Sequence, residues 1–570
     1  MAAKFLPSDF LFPSNPSLSL PQVALPPELP TNAIKTVKLP GRILSVGTGG
    51  ISSTAFVTPV MPLHPLLNIV PKKSGAAAGR SANPWTFFMN KTPDQATNKT
   101  PQSKYPSYTP KTGLKIPVQQ PATTGRLRWL NGQLNAEQRQ AVVRVLRGEA
   151  RPMPYVIFGP PGTGKTVTVV EAILQIFAYR NDARICVATP SNSSADLITE
   201  RLMPHISVGN MVRFNAAQRQ EEGIPDVIKD FCIRNEDVDT AITVLRHRVV
   251  VATCNTIGSL LKLDLKDPPF THAFLDEAGH MMEPEAMIPI GLTSPNGGQI
   301  VMAGDPKQLG PVLQSQLAKC HGLQESFLER LTKREPYRRD NRKFRDHCGY
   351  DPALVTMLRM NYRSHESIIK VSSDLFYHSE LRTAGDVIAT RKFVGASFLP
   401  NPEIPVLFHG IKGEQCQEED SPSWFNPAEA LLAVSYLQKV YELDGVGGVD
   451  PDDVGIVTPY RKQVDRIRRL VDALGLERVK VGTVEEFQGS ERDVIIISTV
   501  KSGGGRLGFM SSEKRFNVAV TRAKSLLVVV GDPAVLCQET CWAKFAEYCR
   551  RNDCYKGCDI DQLGNNETGT

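Results

Sequence analysis

A glycine-rich segment, GPPGTGKT at Gly159–Thr166, has the residue types and the spacing that bind the phosphates of a nucleotide. Its glycines let successive backbone N–H groups turn towards a β-phosphate, and the helix expected after it presents its positive end. Lys165 can give a point charge to the β- and γ-phosphates, and Thr166 a hydroxyl to Mg²⁺. The full match predicts a nucleoside triphosphate site that consists of Gly159, Pro160, Pro161, Gly162, Thr163, Gly164, Lys165 and Thr166.

Two further segments carry groups suited to triphosphate hydrolysis. FLDEAG at Phe274–Gly279 follows an apolar run, so Asp276 and Glu277 are expected at the carboxyl end of a strand. The first carboxylate can hold Mg²⁺ through water, and the second can orient and deprotonate the attacking water. In VMAGDPKQLGP at Val301–Pro311, Gln308 can sense the γ-phosphate by hydrogen bonding without adding charge. Each segment alone is compatible with an ordinary polar turn, but after the glycine-rich segment they indicate hydrolysis.

Alternating strand-like and helical runs must position these groups. Strands are predicted first at Tyr155–Phe158, Arg184–Ala188, Val249–Thr253, Ala273–Leu275 and Ile300–Ala303, with helices at Asn135–Leu146 and Val167–Ala178. After a basic stretch the pattern restarts, with strands at Val406–Phe408, Val454–Thr458, Val479–Thr483, Val494–Val500 and Leu526–Val530 and helices at Pro427–Tyr441 and Arg461–Leu474. Apolar strands that alternate with helices are typical of parallel sheets covered on both faces. We predict two tandem α/β domains, 126–350 and 351–562, followed by a tail at 563–570.

Residues 1–125 differ in composition from the rest of the chain. They hold 12 lysines and arginines against three acidic residues, and 19 of the 43 prolines, whereas the remaining 54 basic and 56 acidic residues nearly cancel. This pattern predicts a basic, Pro-rich and mostly disordered leader. No stretch approaches the ~18 consecutive apolar residues of a membrane span, so no membrane partner is expected. Eleven scattered cysteines suggest reduced thiols in an intracellular protein.

Six segments occur in an order that is specific to one superfamily: GPPGTGKT, DEAG, GDPKQLGP, NYRSH, EEFQGSERD and NVAVTRAK. This order resembles superfamily 1 helicases, specifically the up-frameshift-like RNA helicases, and within them the Moloney-leukaemia-virus-resistance and Armitage branch. The resemblance covers residues 128–560. It implies two RecA-like domains of the P-loop NTPase class, ATP and Mg²⁺ as ligands, and single-stranded RNA as the partner.

The resemblance also implies roles that spacing alone does not show. Gln138 lies where such helicases recognise adenine, Tyr362 where they stack on the base, and Glu491 near the ribose. Arg363 and Arg522 match two arginines that reach from the second domain onto the γ-phosphate. Guanidinium groups there neutralise the charge of the transferring phosphoryl group, so hydrolysis becomes coupled to closure of the second domain.

Other positions either match the family pattern or depart from it. Gln488 matches the loop that couples the two domains, and 206–248 matches a short helical insertion in the first domain. His280 stands where many relatives carry Gln, and Asn361 stands where Gln is frequent before Tyr-Arg. Both departures are compatible with this branch.

The RNA contacts implied by the resemblance belong to short polar loops at strand ends. Such loops suit contacts to the sugar-phosphate backbone, which fix register without reading sequence. A capping or turn role is the structural alternative for each residue. The residues are Pro190, Ser191, Asn192 and Thr253 in the first domain and Pro459, Tyr460 and Thr483 in the second.

Two clusters have both a structural and a functional interpretation. The pairs Cys537/Cys541 and Cys554/Cys558 have a C-x₃-C spacing that a zinc site could use. The pattern of Cys537–Cys549 favours a helix packed on the second domain, where buried thiols are ordinary core residues. The basic run Lys333–Arg345 is either a solvated interdomain loop or a nucleic-acid contact.

Taken together, the residues and the resemblance predict an ATP-dependent helicase or translocase on single-stranded RNA, moving 5′-to-3′. We expect it in the cytoplasm, in silencing or RNA-turnover granules, with silencing or decay proteins as partners. A DNA helicase and an ATP-switched RNA-binding scaffold without processive unwinding stay open as alternatives. Family members usually carry a stalk and a small β-barrel before the motor, and 1–125 resembles neither. The motifs therefore predict hydrolysis directly, whereas unwinding is an expectation taken from the family.

Overall fold

The computed structural model describes residues 127–558, with gaps at 236, 420, 444–447 and 504–507. The predicted leader at 1–125 and the tail at 563–570 lie outside the described residues. No helix in the described part is long and apolar enough to cross a membrane.

Eight strands form the first sheet: β1 Tyr155–Phe158, β2 Ile185–Thr189, β3 Met211–Ala216, β4 Cys232–Asn235, β5 Val249–Thr253, β6 His272–Leu275, β7 Gln299–Gly304 and β8 Val355–Met357. Their order is β4-β3-β5-β2-β6-β7-β1-β8, and all their pairings are parallel. Strands β1, β2 and β6 are buried along their whole length, as expected where helices cover both faces. The predicted parallel α/β architecture is confirmed.

Most helices of the first domain start at polar caps or at the glycine-rich loop; α6 starts after Met282, whose N–H donates to Glu285. They are α1 Ala136–Arg147, α2 Lys165–Tyr179, α3 Asn192–Leu202, α4 Val238–Val244, α5 Cys254–Ile257, α6 Glu283–Gly291, α7 Gln316–Cys320 and α8 Phe327–Thr332. At the start of α1, Asn135 and Gln138 form a reciprocal capping box, and Gly148 ends the helix in the left-handed conformation. This cap stabilises the helix and also fixes Gln138, which the sequence assigns to the nucleotide site.

Six strands form the second sheet: β11 Val406–Gly410, β14 Val454–Val457, β15 Lys480–Gly482, β16 Arg492–Ser498, β17 Ala523–Gly531 and β18 Tyr555–Gly557. They lie in the order β15-β14-β16-β17-β11-β18, again in parallel pairs. Two small sheets accompany it, β9 Met360–Asn361 with β10 Arg382–Thr383 and the hairpin of β12 Cys416–Gln417 with β13 Trp424–Phe425. The helices are α9 Glu366–Phe376, α10 Val387–Thr390, α11 Pro427–Tyr441, α12 Arg461–Asp472, α13 Glu513–Val520, α14 Pro533–Leu536 and α15 Thr540–Arg551.

The boundary predicted at residue 350 is placed too early. Strand β8 comes after it, yet β8 pairs with β1, with Val156 opposite Val355. The apolar side chains of Val355 and Met357 are buried there, at the last strand position of the first sheet. The first sheet therefore extends to residue 357, because burial at an open sheet edge decides where these residues pack.

The segment 206–248, predicted as a helical insertion, contains strands as well as short helices. It adds β3 and β4 to one edge of the first sheet, and it contains the α-helix α4 and two short 3₁₀-helices at Glu221–Gly223 and Asp226–Phe231. The run MVRFNA at β3 is buried along five of its six residues, including Arg213. A buried arginine obscures the apolar pattern of this strand in the sequence.

Arg213 is fully buried, and it ties β3 to α3, the helix that follows β2. Its Nε donates to Asp196 Oδ1 at 2.9 Å and its Nη2 to Asn192 Oδ1 at 2.9 Å. Arg219 donates to both oxygens of Asp196, at 2.9 and 2.6 Å. Asn192 is one of the predicted RNA-contact residues, so this network fixes the loop that carries it.

We expect Arg213→Ala to lower the free energy of unfolding by about 2–4 kcal/mol, because Asp196 would keep only one of its two buried cationic partners. Urea denaturation followed by circular dichroism measures the change. Lys229→Ala, in the exposed pair with Asp226, is the control and should leave the midpoint unchanged. Equal midpoints for Arg213→Ala and the wild type would contradict the structural role of the network.

Candidate active site

The glycine-rich loop joins β1 to α2 and is held against β7. The Gly159 N–H donates to the Gly304 carbonyl at 3.0 Å, and Gly164, just before α2, has a φ of 78° that favours glycine. A Cβ at Gly159 would lie 1.8 Å from Cγ of Lys165. Only glycine therefore leaves room for the Lys165 side chain to fold back over the loop, towards the place of a bound phosphate.

Two oxygen groups meet at the start of α2. Thr166 Oγ1 donates to Asp276 Oδ2 at 3.2 Å, so the hydroxyl and the carboxylate predicted as Mg²⁺ ligands are adjacent. Burial, and next the charge of Glu277, raise the pKa of Asp276 to about 6. A hydroxyl next to a carboxylate is the donor set that Mg²⁺ uses in phosphoryl-transfer sites, so the residues present fit this ion.

Glu277 lies at the centre of the site. Its φ of 54° is rare for a residue with a side chain, and its N–H donates to Asp276 Oδ1 at 3.0 Å. Its two carboxylate oxygens lie 3.8 Å from Lys165 Nζ and 3.6 Å from His280 Nδ1. Burial opposes its ionisation, but four neighbours outweigh burial and lower its pKa; these are Lys165, His280, Arg522 and Arg363. Glu277 is thus an ionised carboxylate on which groups from both halves of the chain converge.

The NYRSH element packs directly on the glycine-rich loop. The Tyr362 N–H donates to the Gly162 carbonyl at 2.8 Å, and Asn361 Nδ2 donates to the Pro161 carbonyl at 2.7 Å. A Cβ at Gly162 would lie 2.6 Å from Cβ of Arg363. Asn361, which departs from the usual family residue, is therefore a structural link between this element and the loop.

Arg363 and Arg522 reach the same cleft, and each is held by its own hydrogen-bond partners. Arg363 donates to Glu491 Oε2 at 2.7 Å and to the Thr521 carbonyl at 3.3 Å, while its buried Nε has no partner among the described residues. Arg522 donates to Gln308 Oε1 at 3.3 Å and to the Val518 carbonyl at 3.1 Å. Burial, and next the charge of Arg363, lower the pKa of Arg522 to about 9. Two guanidinium groups in one buried cleft are stabilised when an anion binds between them.

A buried hydrogen-bonded network that the sequence did not predict supports Gln308. Gln308 Nε2 donates to Asp305 Oδ2 at 2.7 Å, and the Tyr377 hydroxyl donates to the same oxygen at 2.8 Å. Asn517 Nδ2 donates to the Tyr377 hydroxyl at 2.6 Å and to the Lys307 carbonyl at 3.0 Å. Asp305 and Asn517 lie inside motifs that the sequence shows, but Tyr377 has no motif signal. The network connects α13 to the loop that carries Gln308.

The residues predicted for the nucleoside lie beside the loop. Gln138 Oε1 accepts the Asn135 N–H at 3.0 Å, and Gln138 Nε2 donates to the Thr163 carbonyl at 3.1 Å. Asn135 Nδ2 in turn donates to the Tyr362 hydroxyl at 2.9 Å, and Tyr362 is exposed to 40%. The structure thus brings Gln138 and Tyr362 to one side of the glycine-rich loop, and their contacts with adenine stay a prediction.

Gln488, in the second domain, contacts His280 in the first domain. His280 is, with Asn361, one of the two residues that depart from the family pattern. The side-chain amide of Gln488 contacts Nε2 of His280, whose Nδ1 faces Glu277. A histidine at 280 therefore places one imidazole between the carboxylate and the loop predicted to couple the domains. The sequence identified both residues but gave no sign that they touch.

The predicted RNA-contact residues lie at the carboxyl ends of neighbouring strands. Ser191 follows β2 and Thr253 ends β5, which is paired with β2; each caps the helix that follows. Tyr460 follows β14 and Thr483 follows β15, which is its neighbour. Pro190 and Asn192 flank Ser191, and Pro459 precedes Tyr460. The structure thus groups these residues at the carboxyl ends of the strands in each sheet. This position is compatible both with a capping role and with RNA contact.

Core packing accounts for the cysteine cluster, whereas both interpretations of the basic run stay predictions. All eleven cysteines are free, and no group of three or more His, Cys, Asp or Glu side chains that could hold a metal ion occurs in the described part. Cys541, Cys549 and Cys554 are buried, in agreement with core packing. In the basic run, Lys333 pairs with Glu325 and Glu329, and three more members pair with acidic residues: Arg338, Arg339 and Lys343.

Known proteins share these elements. Two family models, both described as an AAA domain, match the chain, one at residues 133–241 and 233–316 and the other at 323–534. The chain is 46% identical over 444 residues to "RNA helicase Mov10l1" of Homo sapiens, covering 76% of this chain and 36% of that protein. It is 42% identical to "Putative helicase MOV-10" of Gallus gallus (76% and 48% covered) and 39% identical to "Probable RNA helicase armi" of Drosophila melanogaster (77% and 40% covered). The chain spans less than half the length of these relatives.

Proposed function

The chain belongs to the up-frameshift-like RNA helicases of superfamily 1, in the branch of the Moloney-leukaemia-virus-resistance and Armitage proteins, and from this membership we propose that it is an ATP-driven motor acting on single-stranded RNA. One observation carries the proposal: Lys165 lies 3.8 Å from the half-buried carboxylate of Glu277, and the charges of Arg363 and Arg522, from the second domain, lower the pKa of the same carboxylate. Cations from several elements around one carboxylate form the arrangement that phosphoryl transfer to water requires.

The residues of the chain divide the work of hydrolysis. The backbone of Gly159–Thr166 and the Lys165 ammonium hold the β- and γ-phosphates of ATP. Glu277 accepts a proton from a water whose oxygen attacks the γ-phosphorus, while the bond to the β–γ bridging oxygen breaks and ADP leaves with that oxygen. Arg363 and Arg522 neutralise the negative charge on the transferring group. Thr166 and Asp276 would hold Mg²⁺, which would supply positive charge that neutralises the phosphates.

Movement along RNA follows from contacts that span the two domains. Lys514, on α13, donates to Glu329 Oε2 on α8 at 2.5 Å, and Asn517 donates to the Lys307 carbonyl. These contacts and both arginines depend on the position of the second domain, so a change at the γ-phosphate alters that position. Strand-end loops of both domains would then shift against each other on the RNA, in the 5′-to-3′ direction of the family.

The choice of RNA rests on the relatives. Two of them carry the words "RNA helicase" in their names. We also propose a cytoplasmic location, in ribonucleoprotein granules, and silencing or RNA-decay proteins as partners. The free thiols of all eleven cysteines are compatible with a reducing compartment.

ATP hydrolysis with and without nucleic acid tests this proposal. We expect poly(U) to raise the steady-state rate at least about fivefold at low salt and poly(dT) of equal length to raise it less, because contacts to the 2′-hydroxyl distinguish RNA from DNA. Stimulation by both polymers to the same extent would favour the DNA helicase. Normal ATP binding without stimulation by either would overturn the motor.

Strand displacement and complementation separate the remaining alternatives. A duplex with a 5′ RNA overhang should be unwound and one with a 3′ overhang should not, if movement is 5′-to-3′. The scaffold alternative is tested by asking whether the protein works in cells without ATP hydrolysis. It gains support if the Lys165→Ala protein restores function in cells that lack the wild type.

A further inference from the structure

A cavity of about 400 Å³ opens at the carboxyl ends of the second sheet, away from the glycine-rich loop. Its lining includes Tyr460, after β14, Lys501, after β16, and Trp424, on β13. Ser512 and Arg515, at the start of α13, also line it. Trp424 and Lys501 belong to none of the six segments that identify the family.

Two aromatic rings face one cation in this cavity. The ammonium nitrogen of Lys501 lies 3.5 Å from the centroid of the Trp424 ring and 5.7 Å from that of the Tyr460 ring. The lysine ammonium is therefore within reach of two rings that belong to different elements, and the Trp424 ring is the nearer one. A flat group that replaced the ammonium there would stack on the indole.

The backbone that carries Lys501 is fixed in an uncommon conformation. Val500, just before it, is a β-branched residue with a φ of 76°, which costs free energy unless the surroundings impose it. Its N–H donates to Glu429 Oε2 at 2.8 Å, and its carbonyl accepts from Asn426 Nδ2 at 3.2 Å. Asn426 and Glu429 are buried at the start of α11, two and five residues after Trp424. The start of α11 therefore fixes the backbone just before Lys501 and lies next to Trp424 in the sequence.

The charges of the lining indicate the class of ligand. Its titratable side chains include two cations, Lys501 and Arg515, and no acidic residue. Arg515 Nε is already bonded to Glu485 at 2.7 Å, whereas Lys501 has no carboxylate partner in the described part of the chain. Burial lowers the pKa of Lys501, as expected for an ammonium without an anion nearby. A cationic ligand such as a methylated lysine would be repelled, and a planar group that carries a phosphate is complementary.

We propose that this cavity binds one nucleotide of the RNA strand, with its base stacked on Trp424 and its phosphate paired with Lys501. On binding, the lysine ammonium leaves the ring face for the phosphate, and the base takes its place between the rings. The proposal rests on the proposed function, because it requires an RNA strand that already contacts Pro459, Tyr460 and Thr483 at the carboxyl ends of the strands in the second sheet. It adds a base-stacking site to contacts that otherwise involve the backbone of the RNA.

Equilibrium binding of a 12-nucleotide RNA, measured by fluorescence anisotropy, tests the site. We expect Trp424→Ala to weaken binding about tenfold and Trp424→Phe to keep most of the affinity, because a smaller ring still stacks. Lys501→Ala should lower the slope of log affinity against log salt by about one. Tyr179→Ala, which removes an exposed aromatic side chain at the far end of α2, is the matched control and should bind RNA normally.

A series of the same RNA with one abasic nucleotide, placed at each position in turn, distinguishes stacking on Trp424 from a structural role of this residue. In the wild type, one abasic position should weaken binding about as much as Trp424→Ala does, and in Trp424→Ala that position should have no further effect. Equal effects of the abasic residue in both proteins would overturn the proposal, as would unchanged RNA binding by Trp424→Ala. Saturable binding of free UMP to this cavity, without any effect of Trp424→Ala on the strand, would also overturn it. Failure of the wild type to bind RNA at all would instead refute the proposed function.

Discussion

Replacing Lys165 by alanine is expected to reduce ATP hydrolysis by at least about 10²–10³-fold, to the background of the assay. The Lys165 side chain folds over the glycine-rich loop, and its ammonium lies 3.8 Å from Glu277 Oε1. Its loss removes the charge that holds the β- and γ-phosphates and leaves Glu277 with fewer cations, so that its pKa rises. Phosphate release under saturating RNA measures the effect.

The control for this variant is Lys370→Ala, which removes an exposed lysine paired with Asp374 on α9. It should hydrolyse ATP like the wild type. Both proteins should melt within a few degrees of the wild type, because neither side chain is part of the core. Lys165→Ala that retains a tenth of the wild-type rate would contradict the assigned role of the loop.

Arg522→Ala is the second large effect, and we expect it to slow turnover by about 10³–10⁵-fold while the KM for ATP changes only a few-fold. The guanidinium is buried, bonds Gln308 at 3.3 Å and adds to the cations around Glu277. Its charge is needed most when negative charge spreads over the transferring phosphoryl group, so its removal lowers kcat more than affinity. Single-turnover hydrolysis together with binding of a fluorescent ATP analogue separates the two parameters.

Arg522→Lys completes the series, since it keeps a positive charge but cannot form the planar fork that contacts Gln308 and the phosphoryl oxygens together. It should recover at most a small part of the rate. Because Arg522 is buried, its truncation also leaves space in the second domain, and the melting temperature of each variant must be compared with the wild type. A near wild-type rate for Arg522→Ala would exclude it as the residue that acts on the γ-phosphate.

The parts of the site that the sequence predicts are those whose chemistry is local. The glycine-rich loop needs consecutive residues, and Asp276 with Glu277 needs only the end of one strand. The residues that surround them in the folded protein depend on the order of the strands in the sheet. No short segment of a single sequence encodes that order. Nothing in the sequence places Tyr377 between Asp305 and Asn517 or His280 against Gln488, because each contact joins residues that are 72 or more positions apart.

The errors of the fold prediction have the same origin. Strands β3 and β4 lie at a sheet edge, where Arg213 is buried among strands and breaks the apolar pattern. Strand β8 follows a basic loop that resembles a domain linker, but the open side of β1 determines its position. Central strands, in contrast, are mainly apolar, with polar residues such as His272 and Gln299 at their ends, and they were predicted close to their observed bounds.

Strand β8 ends only six residues before Arg363, which limits how the arginine can move. Six residues span at most about 22 Å when fully extended, and Asn361 and Tyr362 fasten this stretch to the glycine-rich loop. Immediately beyond, Ser364 Oγ and the His365 N–H bond the backbone of residues 523 and 524 on β17. The pivot between the two sheets is thus also a wall of the nucleotide pocket. Because this connection is short and hydrogen-bonded on both sides, rotation of one sheet against the other must also move the wall of the nucleotide pocket. The angle between the sheets and nucleotide binding are therefore coupled directly.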